Sequence, residues 1–410
     1  MRQRGDSTGD GLRQEAHELL GAAVELRRTL HSWPEIGNEL PVTQEQVLGA
    51  LDGLPLDVTV HESTSGIAAL LTGAEPGPTI LLRGDMDALQ MHEDTGLDFA
   101  SRVDNAMHAC GHDTHTAMLV GAATQLSAHR DELAGRVLFM FQPGEEGHHG
   151  ARFMLEEGLL DVPPLADGTA SPVTGAFAIH ITSSLPAGWL ASRGGSIMAS
   201  ADRLTVTVTG KGGHASEPHR AVDPIPVACA MVQALQLMVT RSIDVFDPSV
   251  VTIARIHAGT TSNVIPESAE IEGTIRAVSE STRAKVHDGI RRVVDGIAAA
   301  HGCEVSVDIE PGYPVTVNDR EFADTALSVA RDVAGPEHVV HLPNPVMGAE
   351  DWSYVLQQVP GSMMFLGGTG EGRNPSTAAP NHSNRVIFDE QAMVDGIAMY
   401  SSMALHHLTT

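Results

Sequence analysis

The sequence predicts an α/β fold, a central β-sheet covered by helices, with a smaller ferredoxin-like α+β domain inserted into the chain. Three segments, at 79–89, 135–147 and 175–181, each contain a continuous apolar run that leads into polar residues. Such runs are typical of strands that are buried on both faces of a parallel sheet. A different pattern begins at 202–210, where "DRLTVTVTG" alternates between polar and apolar residues, as a half-exposed strand does. The chain of 410 residues is long enough for both domains.

The first predicted element is a helix over residues 12–31, since apolar residues recur there at helical spacing and Pro34 follows. A second helix is predicted from Asp113 onward, because "THTAMLVGAATQLSAH" is small and apolar throughout. Asp113 is well placed to be the N-cap of that helix. In α/β folds the chemistry gathers beyond the carboxyl ends of the strands, so the polar residues after the apolar runs are candidates for a functional site.

The inserted domain is predicted from the order of its elements. After the strand at 202–210, the sequence predicts a helix at 222–240, strands at 249–258 and 268–278, a helix at 280–301 and a strand at 304–310. This order is the split ferredoxin-like arrangement. The α/β pattern then resumes and ends in a helix near 389–407. We therefore expect a discontinuous domain of residues 1–197 and 311–410, and an inserted domain of residues 198–310.

Composition excludes several classes of partner. The formal net charge is −27, from 25 Lys+Arg against 52 Asp+Glu, so the surface repels nucleic acid and anionic membranes. The first 20 residues lack the apolar stretch of a secretory signal. The apolar run at 227–240 is too short to span a bilayer and contains Gln233 and Gln236, which predicts a buried helix. Three cysteines are too few for a disulfide scaffold, and a reducing cytoplasm is the expected location.

The stretch "MHACGHDTHTAM" (107–118) holds the first candidate metal ligands, Cys110 and His112. They precede a predicted helix, whose dipole favours a thiolate, and Cys-x-His suits a zinc-like ion. A buried cysteine beside a helix-capping segment explains the pattern about equally well. A nucleophilic cysteine with a histidine helper also stays open. We expect His108 and His115 to be supporting or structural residues.

Glu145 and Glu146 in "QPGEEG" form a second cluster. Adjacent residues at a strand end point in different directions, so one can ligate a metal while the other acts as a general base. Two neighbouring glutamates are also common on surfaces, and His180 and His382, each following or preceding an apolar strand, could each be structural. Taken together, five side chains supply enough ligands for two metals that share a bridge: Cys110, His112, Glu146, His180 and His382.

Two other stretches, "RGDMDAL" and "GKGGHAS", contain residue types that occur in functional sites. Asp85 and Asp87 end the strand in "RGDMDAL", where salt bridges with Arg83 are a plausible alternative to a role in the site. The stretch "GKGGHAS" lacks the first glycine of a phosphate-binding loop, since Thr205 stands in its place. No serine nucleophile elbow accompanies these clusters. The sequence alone assigns no role to Asp85, His108 or His115.

Taken together, the clusters resemble the cysteine-containing branch of the dimetal aminoacylase/carboxypeptidase metallopeptidases. This branch includes hippurate hydrolases, N-acyl-amino-acid amidohydrolases and auxin-conjugate hydrolases. The matching segments appear in family order over nearly the whole chain: "LHSWPE" (30–35), "RGDMDAL" (83–89), "MHACGHDTHTAMLVGAA" (107–123), "FQPGEEG" (141–147), "KGGHASEPH" (211–219), "TSNVIPESAEIEGTIR" (261–276), "GAEDWSYVL" (348–356) and "NHS" (381–383).

The resemblance implies a dimetal exopeptidase-like catalytic domain with a central mixed sheet, and an insert that serves as a dimerisation domain. It implies two divalent cations, with zinc expected and manganese, cobalt and nickel compatible. Cys110 would bridge them, with His112, Glu146, His180 and His382 completing the two sites. Glu145 would be the general base and later the acid that protonates the leaving amine. His214 would reach the active site of the partner subunit and stabilise the oxyanion, while Asn263 and Arg276 would hold the substrate carboxylate.

The function expected from these residues is metal-dependent hydrolysis of the amide bond of N-acyl-amino acids, which releases a carboxylic acid and a free amino acid. A metallo-dipeptidase or carboxypeptidase acting on small peptides is the alternative, since only the pocket on the acyl side would differ. A catalytically silent binding protein would have no need of both Glu145 and a full ligand set. We expect a cytoplasmic homodimer whose substrate is a small molecule.

Overall fold

The computed structural model describes residues 9–409, except for the side chain of Asp10, so the first eight residues of the expected non-secretory N-terminus lie outside it. The helices are α1 (Gly9–Ser32), α2 (Pro41–Leu51), α3 (His112–Ala128), α4 (Gly150–Glu156), α5 (Pro224–Ser242), α6 (Glu280–His301), α7 (Arg320–Ala334), α8 (Ser353–Leu356) and α9 (Ala392–Thr409). The strands are β1 (Leu56–Val60), β2 (Ile67–Thr72), β3 (Glu75–Asp85), β4 (Ala134–Gln142), β5 (Val173–Pro186), β6 (Leu190–Ser192), β7 (Gly195–Met198), β8 (Asp202–Thr209), β9 (Gly213–His214), β10 (Ser249–Ala258), β11 (Val264–Ile265), β12 (Ser268–Ala277), β13 (Glu304–Pro311), β14 (Thr316–Asn318), β15 (Val339–His341) and β16 (Gly361–Thr369).

The chain divides into two compact units. The first contains the residues up to Gly195, Val317–Pro343 and the residues from Tyr354 onward, and the second contains Ser196–Thr316 and Asn344–Ser353. The sequence placed the boundaries at 197/198 and 310/311 and kept 344–353 with the larger domain. The short segment 344–353 instead groups with the second unit, which no periodicity in the sequence indicates.

The first unit is built on an eight-stranded mixed sheet in the order β1-β2-β4-β3-β5-β16-β6-β15. The four central strands, β4, β3, β5 and β16, run parallel, whereas β1, β2 and β4 pair antiparallel, as do β16 and β6. The predicted α/β class and the parallel arrangement of the three apolar strands are therefore confirmed. Because the central strands are parallel, their carboxyl ends meet at one edge of the sheet, where the candidate residues lie.

Helix α3 is buried nearly all round and packs against α1, α9 and β3. It begins at His112, one residue earlier than expected, and its N-cap is Gly111, which has a left-handed φ of 96°. The prediction that Asp113 caps this helix is therefore wrong. The carboxylate of Asp113 is fully buried and accepts hydrogen bonds from Arg27 and His31 of α1, so a long-range ion pair replaces the local cap.

The second unit contains the ferredoxin-like arrangement that the sequence predicts. Its four-stranded sheet has the order β10-β12-β8-β13, and every neighbouring pair in it is antiparallel. Helices α5 and α6 pack on this sheet and on each other. Each begins with a side-chain cap: Asp223 accepts from the backbone N–H of Ile225, and Ser279 from that of Thr282.

Helix α5 is the one helix in the described part of the chain that is long and apolar enough, by length and composition, to cross a membrane. One face of it, including Val227, Met231 and Leu235, is buried in the core of the second unit. Leu237 on the other face is 62% exposed. The sequence predicted a buried helix here, and the structure limits that burial to one face.

Candidate metal centre

Gly111 determines how closely the start of α3 approaches strand β5. A Cβ atom added at this position would lie 2.4 Å from Cγ2 of Ile181, and the φ of 96° is one that side chains with a Cβ rarely adopt. Only glycine fits both conditions without a shift of its neighbours. As a result, Cys110 and His112, on either side of Gly111, lie directly against the residues of β5.

The five side chains predicted as metal ligands lie together in the first unit. Cys110 Sγ is 3.4 Å from His180 Nε2 and 3.3 Å from His382 Nε2. His382 Nε2 is in turn 3.2 Å from Oε1 of Glu146. Several groups of possible ligands have their ligand atoms within 4.8 Å of one another. Two of them share Cys110: Cys110, His112 and His180, and Cys110, Glu146 and His382; a further group consists of His112, Glu145 and Glu146.

The histidine tautomers are those that a cation site requires. Nδ1 of His112 lies 2.8 Å from the main-chain oxygen of Asp87, and Nδ1 of His180 lies 2.7 Å from that of Ile181. A carbonyl only accepts, so each Nδ1 carries a proton, and Nε2 is the ring nitrogen that is left to ligate a cation. Nε2 of His112 is buried and has no hydrogen bond of good geometry, although Asp85 Oδ2 is 3.3 Å away. A buried thiol, imidazoles and a carboxylate together suit a zinc-like ion.

His115 is not available as a ligand. Its Nδ1 is 2.6 Å from Asp85 Oδ1, and its Nε2 accepts the backbone N–H of Ile181 at 2.7 Å. Asp85 also pairs with Arg83 at 2.7 Å. Burial alone would raise the pKa of Asp85, but the Arg83 guanidinium and the neighbouring histidines hold it well below its usual value. Asp85 and His115 therefore link β3, α3 and β5 beneath the candidate centre.

Asp87 supports the turn that carries the glutamate pair. Its two carboxylate oxygens accept the backbone N–H groups of Glu145 and Glu146, each at 2.9 Å. Glu146 directs Oε1 to His382, whereas Oε2 of the buried Glu145 lies 3.9 Å from Nε2 of His112. Burial would raise the pKa of Glu146, but the hydrogen bond from His382 lowers it overall. Sequence reasoning noted Asp87 as a strand end and missed this role.

A buried charge cluster lies on the outer side of α3. His31 is held between Asp113 Oδ2, at 2.9 Å, and Glu93 Oε1, at 3.2 Å. Burial would lower the pKa of His31, but the hydrogen bond and charge of Asp113 raise it to about 9. Burial lowers the pKa of the neighbouring His108 to about 3. The sequence offered only the "LHSWPE" match as a signal for His31.

The other three predicted residues lie in the second unit. His214 is on β9, which pairs with β11, and the main-chain oxygen of Asn263 accepts the N–H of Ala215 at 3.1 Å, so these two predicted residues are close together. His214 is exposed, and its Nδ1 is 2.8 Å from Ser216 Oγ. Arg276 is on β12, in a different sheet, and burial lowers its pKa.

Comparison with known proteins identifies the family of this chain. The model of peptidase family M20/M25/M40 matches residues 81–406. Thermostable carboxypeptidase 1 of Saccharolobus solfataricus is 37% identical over 96% of this chain and 97% of its own length. N-acetylcysteine deacetylase of Bacillus subtilis is 36% identical over 94% and 97%.

Comparison with a solved structure also points to the same family. The chain is similar to a Bacillus subtilis protein described as a dinuclear metal-binding peptidase from the M20 family, with a TM-score of 0.81 and 33% identity. The similarity covers 96% of this chain and 99% of that one. The family resemblance predicted from the sequence motifs is thus confirmed. The protein belongs to peptidase family M20/M25/M40.

Proposed function

We propose that this protein hydrolyses the amide bond of N-acyl-amino acids and releases a carboxylic acid and a free amino acid. The observation that carries the proposal is that Cys110 belongs to two groups of possible ligands, while the carboxylate of Glu145 lies beside them, 3.9 Å from Nε2 of His112. A relative named as a deacetylase of an N-acylated amino acid supports this substrate class.

In this proposal the protein holds two divalent cations. Cys110, His112 and His180 would hold one of them, and Cys110, Glu146 and His382 would hold the other, so Cys110 would serve both. Bound cations polarise the scissile carbonyl and lower the pKa of water. Zinc is the proposed ion, and manganese, cobalt and nickel fit the same mixture of sulfur, nitrogen and oxygen ligands.

Glu145 moves the proton. Its carboxylate is buried, and the Asp87 carboxylate fixes its backbone, so it is held rigidly at the edge of the ligand cluster. It accepts the proton of the attacking water and afterwards donates that proton to the leaving amine. A single carboxylate can serve both steps because it takes up a proton in the first step and releases that proton in the second.

The second unit supplies the remaining residues in the proposal. His214 of the partner subunit donates a hydrogen bond to the oxyanion, and its exposed position suits a residue that acts outside its own unit. Arg276 and Asn263 bind the carboxylate of the amino acid, and among the described residues none forms an ion pair with Arg276. This arrangement requires a homodimer, formed through the inserted domain. We place the protein in the cytoplasm.

Hydrolysis of dipeptides or of the carboxyl-terminal bond of small peptides is the second candidate. It is favoured by the carboxypeptidase relative, which covers nearly the whole chain. The residues that hold cations and move protons would be the same in both reactions. The two candidates differ only in what the site accepts on the acyl side of the scissile bond.

A substrate panel separates the two candidates. The metal content of the purified protein is measured first, and turnover is then compared on acetyl- and benzoyl-amino acids and on dipeptides of the same amino acids. We expect the acyl-amino acids to be the better substrates, with activity lost in chelator and restored by added metal. Preference for the dipeptides would favour the peptidase, and activity that survives chelation would contradict both.

A further inference from the structure

Asn381 connects three of the four segments that carry the candidate ligands. Its Nδ2 donates to the main-chain oxygen of Cys110 at 3.1 Å and to that of Ile181 at 3.0 Å. Its Oδ1 accepts the backbone N–H of Ser183 at 3.0 Å. These three bonds go to the main chain, and the hydroxyl of Ser183 also donates to Oδ1 at 3.4 Å. The amide thus fixes the backbones of the loop before α3 and of β5 without contacting a ligand atom.

The residue that follows Asn381 depends on this attachment. His382 lies in the loop between β16 and α9, outside any helix or strand, and its side chain is 53% exposed. Its φ is +67°, a conformation that costs about 1–3 kcal/mol for a residue other than glycine. Its N–H donates to the main-chain oxygen of Ala109 at 2.9 Å. The loop is thus attached to the segment of Cys110 at two successive residues.

The other ligands have independent supports. His112 is in the first turn of α3 and is fixed by Asp87, and His180 is inside β5, where it pairs in register with Phe365 of β16. Glu146 is fixed through its backbone by Asp87. His382 alone among the five candidate ligands relies on an adjacent side-chain amide for its position.

We propose that Asn381 is a positioning residue that sets His382 and the bridging Cys110 in register, so that both cations can be bound. The inference deepens the proposed function, because it rests on the assignment of Cys110, Glu146 and His382 as ligands. Loss of a supporting residue of this kind typically weakens metal affinity by about 10- to 100-fold. The weakening falls mainly on the cation held by His382, since His112 and His180 of the other group keep their own supports.

Titration of the apo-protein with Co²⁺ tests this proposal without use of turnover. Thiolate-to-cobalt charge transfer and the d–d bands report how many ions bind and how tightly. Asn381→Asp keeps the size and the acceptor but places carboxylate oxygen against two carbonyl oxygens, and Asn381→Ala removes all four bonds. We expect both variants to bind the second ion at least about 10-fold more weakly than the wild-type protein. Asn374→Ala, in an exposed turn of the same loop, is the matched control and should bind both ions normally.

Circular dichroism and melting of the apo-proteins show whether the variants fold. A role in general stability would lower the melting temperature of apo Asn381→Asp and leave its cobalt affinity intact, which would overturn the proposal. Cobalt affinities within twofold of wild-type in both variants, or an equal loss in Asn374→Ala, would also overturn it. If the wild-type protein itself binds no cobalt, the proposed metal-dependent function fails instead, so the two failures are distinguishable.

Discussion

At the scale of single residues, two neighbouring carboxylates acquire different surroundings. The turn that contains Glu145 and Glu146 is held by Asp87, and this places Glu146 against His382 and Glu145 on the side of His112. Glu145 and Glu146 are adjacent in sequence and share one backbone support, yet their side chains have different neighbours. These separate environments are the basis of the proposed division into one ligand, Glu146, and one proton carrier, Glu145.

Glu145→Gln tests that division. Glutamine has the same size but cannot take a proton, so we expect kcat to fall by about 10²- to 10⁴-fold with metal content unchanged. Metal analysis and steady-state kinetics on the same preparation measure both quantities. Glu146→Gln is the matched control and should lose metal instead. Turnover near wild-type in Glu145→Gln would show that another group moves the proton.

At this scale the sequence indicated several side chains that lie together in the structure, and it missed contacts between residues that are distant along the chain. The residue types of Cys110, His112 and His382 suggested ligands, although the family resemblance, not their spacing, brought them into one site. The N-cap role of Asp113 was wrong because its partner, Arg27, lies 86 residues away and only the fold brings them together. Asn381 carried no signal, since an asparagine in a polar loop is ordinary.

At the scale of elements, the close contact between α3 and β5 depends on Gly111. We expect Gly111→Ala to lower the free energy of unfolding by roughly 1–3 kcal/mol or more, because it combines a disfavoured φ with a clash against Ile181. Denaturant unfolding of the apo-protein measures this change. The matched control is Gly296→Ala in α6, where an added Cβ meets nothing within 4 Å. That variant should be stabilised by about 0.5–1 kcal/mol, and equal destabilisation of the two would contradict the argument.

The junction of α1 and α3 makes stability depend on pH through His31. Its pKa is raised from 6.5 to about 9 in the folded protein. The folded state therefore keeps a proton that the unfolded state releases between these values, so its stabilising effect is complete below pH 6.5 and is lost as pH rises through 9. A shift of this size corresponds to roughly 3 kcal/mol.

We expect the free energy of unfolding to fall as pH rises from 6.5 to 9, and His31→Gln to flatten this dependence. Denaturant unfolding at a series of pH values measures it. His129→Gln is a partial control, because the raised pKa of His129 arises at a more exposed pair with Glu15 and Glu132. A wild-type slope that persists in His31→Gln would assign the effect to other groups.

Secondary structure was predictable because the periodicity of the two sheets differs. The buried strands are continuously apolar and the strands of the second unit alternate, so the confirmed fold class follows from local pattern. The end of a strand was harder to predict from the sequence. Strand β5 continues past His180 to Pro186, because its backbone pairing with β16 persists after the apolar residues stop. We did not predict from the sequence that α5 is buried on one face only, although the exposed Gln233 and Gln236 interrupt its apolar run.

At the scale of the whole molecule, the proposed function requires residues from two subunits. A mixture of His214→Ala and Glu145→Gln proteins, each inactive alone, should regain activity after exchange of subunits. In a mixed dimer one site has an intact Glu145 and an intact His214 from its partner, so about a quarter of all sites should be active in an equal mixture. Activity assays before and after subunit exchange measure this. No recovery in mixed dimers would place His214 outside the partner's site.

The family and the enzyme class were predictable at this scale because the motifs span most of the chain in order. The assignment of residues 344–353 to the second unit was not, since it depends on tertiary contacts of a segment without regular periodicity. The preferred acyl group follows from neither motif nor fold class, because it is set by the shape of a pocket wall and not by the residues that perform the chemistry.

The separation of Cys110 and His382 by 272 residues has a consequence for biosynthesis. On the ribosome, Cys110, Glu146 and His180 emerge first, and the complete second unit follows before the loop of His382 and α9 appear. In the proposed centre, Cys110 is therefore joined by its last histidine only near the end of translation. A nascent or truncated chain can present at most one of the two ligand groups, so the chain becomes a hydrolase only once its last helix has packed against α1 and α3.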